Sequence, residues 1–240
     1  MNSVVIAKFG GSVIGVDGIS IPIIIQRINS LSKDAKVVAV FSAPLTVVEG
    51  KPTSLTDVAL QLGKRAEEGK AFDLIILRKT YEKILELVSS EFQEKCRTTI
   101  DDCLDVVRIE LEKAMEKKEF ADEVRSKTLA YSGEILMSHM MEYILQSQGI
   151  KSKVVGLDNW PIITDSNIES TNFLASESNK KVEFLERLLD ENQVITIGGF
   201  IGRTADGVIT TYERGGSDRT AADLGILLHK KFDVKIDLEK

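Results

Sequence analysis

Val4-Val5-Ile6-Ala7-Lys8-Phe9-Gly10-Gly11-Ser12 carries the decisive reading, close to the start of the chain. Four consecutive apolar residues, rich in β-branched side chains and without helical spacing, predict a buried strand. A lysine stands at the strand's end and two glycines follow in the loop. Glycine lets backbone N–H groups approach an anion closely and Lys8 adds a fixed positive charge, so the stretch suits a phosphate. It is neither GxxxxGK[ST] nor GxGxxG, and neither of those nucleotide-binding classes is indicated. Taken alone, the same residues also suit a plain glycine turn leaving a strand.

Runs of the same kind recur at Val37 to Phe41, Lys153 to Val155, Val194 to Ile197 and Val234 to Leu238. Between them lie segments with helical spacing: Leu77, Tyr81, Ile84, Leu85 and Val88; Ile100, Leu104, Val107 and Leu111; Val182, Leu185 and Leu189. Strand and helix alternate at both ends of the chain. This predicts the α/β class, a three-layer sandwich around a largely parallel central sheet. From about Leu55 to about Gln148 only helical patterns occur, with Lys and Glu dense on their outer positions, no Pro and almost no Gly. The block at about 55–148 reads as a helical insertion or lid on one domain, residues 1–240. Its heptad pattern over 71–118 is too short-lived for a coiled coil.

The 240 residues are 43% hydrophobic, enough for a sizeable core. No stretch approaches the roughly 20 apolar residues of a membrane span, and Met1 runs into the first strand without a basic segment, which predicts a cytoplasmic chain off the membrane. A net charge of −6, with basic residues scattered among acids, argues against nucleic acid as a partner. Anionic ligands must then be attracted by a few local groups. Cys96 and Cys103 have neither CxxC spacing nor a neighbouring His, and read as free thiols with no metal site.

Three further segments supply candidate groups. Arg214-Gly215-Gly216-Ser217-Asp218 precedes a helical stretch from Thr220 to Leu224 and offers bare amides, a helix N-terminus, a cation and a carboxylate together. Ser217 or Asp218 also suits a simple N-cap. Ser42 and Ala43 end the second strand, and Thr56-Asp57 follows a polar, Pro-containing loop, so hydroxyls gather at the strand's carboxyl end, where open α/β sheets bind ligands. Ser132-Gly133-Glu134 opens an apolar helix, where Glu134 also suits the helix dipole alone.

In this order the pieces resemble the aspartate kinase branch of the amino acid kinase family, over nearly the whole chain. Lys8-Phe9-Gly10-Gly11-Ser12 is similar to its opening Lys-Phe-Gly-Gly, and Val40-Phe41-Ser42-Ala43 to its Val-x-Ser-Ala. Leu129 to Glu134 resembles its Ser-x-Gly-Glu helix start, and Ile162-Ile163-Thr164-Asp165 another shared segment. Gly198-Gly199-Phe200-Ile201-Gly202 through Asp218 resembles its Gly-Phe-Ile-Gly stretch leading to Gly-Arg-Gly-Gly-Ser-Asp. Two departures stand out: Glu213 replaces a glycine, and the loop from Pro44 to Thr53 is longer and more polar.

The resemblance implies that the γ-phosphoryl group of ATP, with Mg²⁺, is transferred to the side-chain carboxylate of L-aspartate, the first step towards lysine, threonine and methionine. It implies that Lys8, Gly10, Gly11, Ser12, Gly215 and Gly216 meet the nucleotide's phosphates and that Asp218 holds the active-site lysine. It further implies that Arg214 receives the α-carboxylate, while Glu134, Thr56, Ser42 and Ser217 fix the rest of the amino acid. It also implies a C-terminal nucleotide-binding portion with an Asp-Pro-Arg stretch, and the four prolines here, none after Pro161, hold no such stretch. The expectation is an incomplete domain that forms a homodimer or associates with a missing C-terminal or regulatory portion. Two alternatives are a related kinase with another acceptor and a binding module of the same fold that turns nothing over.

Overall fold

The apolar runs that begin at Val4, Val37 and Val194 become the three central strands of one sheet, their side chains buried on both faces, while those at Lys153 and Val234 become its edges. In the computed structural model, which describes residues 3–213 and 215–239, the elements run β1 (Ser3–Phe9), α1 (Gly11–Ile14), α2 (Ile21–Leu31), β2 (Lys36–Phe41), β3 (Leu45–Val48) and β4 (Lys51–Ser54). The helical block follows as α3 (Leu55–Glu67), α4 (Ile75–Leu85), α5 (Ser90–Lys117), α6 (Asp122–Ser132) and α7 (Glu134–Ser147). The chain returns through β5 (Ser152–Val154), α8 (Ala175–Asn179), α9 (Val182–Glu191), β6 (Val194–Gly198), β7 (Ile201–Arg203), β8 (Ile209–Thr211), α10 (Gly216–Leu228) and β9 (Asp233–Glu239). The sheet has the order β5-β6-β2-β1-β9 and every pairing in it is parallel.

Register shows which helices cover which face. Asp237, Ala7, Ala39 and Thr196 are aligned neighbours and therefore share a face. On that face Arg27 of α2 reaches Asp237 and Glu239, and Thr196 donates to the Ser138 carbonyl of α7. The next row, Ile236, Ile6, Val38 and Ile195, faces the other way. There Ile236 and Ile6 pack beneath Gly225 of α10, and α10 packs with α8 and α9. Helix, sheet and helix form the three layers expected. At the carboxyl end of the sheet the aligned rings of Phe9 and Phe41 stack with centroids 5.4 Å apart, a pairing that contributes roughly 1 kcal/mol beyond burial.

The helical block is helical throughout, and its last member, α7, lies on the sheet against β5, β6 and β2. Helix α5 is not a coiled-coil strand. Its buried row, including Ile100, Leu104, Val107 and Leu111, packs within the block against α3, α4, α6 and α7. Between α6 and α7 the chain breaks at Gly133, and the fully buried Tyr81 of α4 donates its hydroxyl to the carbonyls of Ser132 and Gly133, both at 2.9 Å.

One local expectation needs correction. The segment from Pro44 to Thr53 is not an irregular loop: β3 and β4 pair antiparallel across a Glu49-Gly50 turn in which both residues have positive φ, 50° and 76°. That geometry matches the strand twist of a tight hairpin, whereas Glu at the first position hides it from the sequence. Among the described residues no helix is long and apolar enough to cross a membrane.

Candidate active site

The carboxyl ends of β1, β2 and β6 open into a cavity of about 780 Å³, within the size range of small-molecule sites. Strand β1 delivers Lys8, whose Nζ lies 2.7 Å from Asp218 Oδ1 in the first turn of α10. Two sequence motifs more than two hundred residues apart therefore meet in one ion pair. Lys8 is largely buried and Asp218 half-exposed, which fixes the ammonium while leaving the pair open to the cavity.

Gly11 has a steric role. A Cβ there would stand 2.6 Å from the Ala43 carbonyl oxygen, so the loop after β1 can lie against the end of β2 only with glycine. Gly11 and Ser12 line the cavity, whereas Gly10 sits behind them, its missing Cβ 3.2 Å from Lys8 Nζ. Gly215, with φ of 90°, turns the chain into α10, and Gly216 follows as its first residue. No side chain caps that helix, so the simple N-cap reading of Ser217 or Asp218 is set aside. Instead Ser42 Oγ donates to Ser217 Oγ at 3.0 Å, joining β2 to α10, while Asp218 pairs with Lys8.

Glu134 is the first residue of α7 and is buried. Burial pushes its carboxyl up to about 7, although its own amide and that of Ala43 donate to it. Its Oε2 is buried with no hydrogen-bond partner, yet the residue lines the cavity. An orphaned acceptor of this kind is costly unless a ligand donor completes it. Thr56 lines the cavity from the first turn of α3, its amide donating to the Ser54 hydroxyl cap. Arg214 lies outside the described residues.

Two charged lining residues lay outside every motif, Arg125 and Glu169. Arg125 and Glu169 pair across a chain separation that no local pattern reveals, with Arg125 Nη1 2.9 Å from Glu169 Oε2. Glu213 is exposed, and its carboxylate accepts the Ser170 hydroxyl at 2.7 Å. Among the described residues no group of three or more His, Cys, Asp or Glu is placed to hold a metal.

The model of the amino acid kinase family matches residues 3–231. The chain is similar to an aspartokinase of Rickettsia felis, 34% identical over 109 residues, which is 45% of this chain and 26% of the relative. An aspartokinase of Geobacillus stearothermophilus is 33% identical over 112 residues, 46% of this chain and 26% of the relative. Among solved structures, E. coli aspartokinase III in complex with aspartate and ADP superposes with a TM-score of 0.76 at 22% identity, covering 99% of this chain and 49% of that one. The chain thus spans about half the length of that enzyme.

Proposed function

The chain belongs to the amino acid kinase family, and from that premise we propose that it is the amino-terminal catalytic part of an aspartate kinase. It would transfer the γ-phosphoryl group of ATP to the side-chain carboxylate of L-aspartate. The observation that carries this is the meeting, in one cavity, of the Lys8–Asp218 pair with the Glu134 carboxyl, whose Oε2 has no hydrogen-bond partner. A phosphate and an amino group are the two ligand features those residues complete. Similarity to aspartokinases, one of them holding aspartate and ADP, supports the same acceptor and nucleotide.

The chemistry asks little of a general base. A carboxyl group with a pKa of about 3.9 is already ionised at neutral pH, so the work is to align two anions and offset the charge that builds up between them. Lys8 supplies a fixed positive charge at the phosphoryl group. Asp218 holds that ammonium in place, and the glycine-lined loop after β1 brings backbone amides near the phosphates. Glu134 receives the amino group of the acceptor, and Ser42, Ser217 and Thr56 surround the rest. Mg²⁺ supplied with the nucleotide would offset phosphate charge and would need few protein carboxylates, since such ions are commonly bound through substrate oxygens.

ADP release with MgATP, measured across a panel of amino acids, tests the reading. Turnover that depends on aspartate is the expected result. Turnover with glutamate or N-acetylglutamate alone would move the chain to another kinase of the family. Tight aspartate binding with no turnover, even when a C-terminal portion is supplied in trans, would make it a binding module.

A further inference from the structure

Among the described residues two cationic side chains line the cavity, Lys8 and Arg125. Lys8 is committed to Asp218. Arg125 lies in the first turn of α6, and Leu129, four residues on, lines the cavity with it, so one face of this helix forms a wall of the site. The only described partner of its guanidinium is Glu169, whose other oxygen is held at 2.8 Å by the Asp122 amide. A guanidinium carries five N–H donors in a planar fork, and most of these remain for a ligand.

The loop carrying Glu169 is built to keep that group in place. Asp165 accepts hydrogen bonds from Asn167, Thr171 and Asn172 and so knots the loop's base. At its tip Glu169 reaches α6 while Ser170 reaches Glu213, fastening two walls of the cavity together. The described lining holds five carboxylates, Asp57, Glu134, Glu169, Glu213 and Asp218, against the two cations. An anionic acceptor therefore needs a cation that is not fully spent. An ion pair as exposed as Arg125–Glu169, at 25% and 36%, is weak enough to be shared.

We propose that Arg125 is a specificity-determining residue of the acceptor site, gripping the non-reacting carboxylate of the amino acid. This rests on reading the cavity as the acceptor site. The reacting carboxylate must face the phosphoryl group at Lys8, which is tied to α10, whereas Arg125 belongs to a different wall and a different loop. Planar, paired N–H donors suit a carboxylate that is held and not transferred.

Calorimetric titration of the full chain, as wild type, Arg125→Ala and Arg125→Lys, with L-aspartate and with its α-amide tests this. The α-amide lacks only the charge that Arg125 is proposed to read. Arg125→Ala is expected to lose about tenfold in affinity for aspartate and less than about twofold for the α-amide, with Arg125→Lys between. Equal losses for both ligands would mean that Arg125 merely shapes the pocket, and unchanged affinities that it plays no part; either overturns the inference alone. A wild type that binds no aspartate overturns the acceptor-site reading instead, and the inference with it.

Discussion

Replacing Glu134 by Gln should change how stability depends on pH. Burial raises this carboxyl from its ordinary 4.5 to about 7, so the folded chain holds the proton more tightly than the unfolded chain does. Folding then takes up a proton between those values, and stability falls as pH rises from about 4.5 to 7, with no further change above. The displacement corresponds to roughly 3 kcal/mol at the alkaline end, and about 2–3 kcal/mol of it develops between pH 5 and 8. Gln keeps one acceptor for the Ala43 amide and cannot ionise, so this loss is absent from the variant. In urea denaturation the advantage of Glu134→Gln over wild type should therefore grow by about 2–3 kcal/mol from pH 5 to 8, or roughly 5–10 °C in Tm for a chain of this size. A constant difference between the two proteins across that range, or one that shrinks with pH, would refute the reasoning and mean that Glu134 is ionised in the empty site. The same variant should bind aspartate more weakly, since it no longer offers a carboxylate to the amino group.

Lys8→Ala should leave the melting temperature within a few degrees of wild type and lower kcat by about a hundredfold or more in a complete enzyme; an unchanged kcat would remove Lys8 from the mechanism. Gly11→Ala forces a Cβ to within 2.6 Å of a backbone oxygen that has little room to move, and should cost about 1–3 kcal/mol in denaturant unfolding as well as weakening nucleotide binding. A variant as stable as wild type would show that the loop after β1 is soft. Glu213→Gly should change aspartate affinity less than about threefold, because that carboxylate is exposed and engaged by Ser170. A large tightening would reveal direct repulsion of the acceptor.

The three central strands were legible because parallel strands buried on both faces read as continuous apolar runs, and the two edge strands, β5 and β9, because they keep β-branched residues, though β9 has no buried side chain. The β3–β4 hairpin was not, since Lys51, Pro52 and Thr53 resemble a polar loop and a glutamate occupies the turn position that Asn or Asp usually signals. Within the cavity, Lys8, Glu134 and Asp218 were visible because each sits beside glycines that have a local reason to be there. Arg125 and Glu169 were not. On a helix dense in charge, an arginine facing a cavity looks the same as one facing water, and only tertiary structure brings its partner from 44 residues away.

The break at Gly133 has a consequence for the speed of motion near the acceptor. The first turn of a helix normally frays, because its amides lack carbonyl partners one turn back. Here that turn is interior: Glu134, Ile135, Leu136 and Met137 are all buried, and the Met137 amide bonds the Gly133 carbonyl that Tyr81 also holds. What is usually the softest part of a helix thus becomes slow to open, and its amides should be among the last to exchange with deuterated solvent. A ligand would then find the Glu134 carboxyl already in place, with little ordering left to do when it arrives.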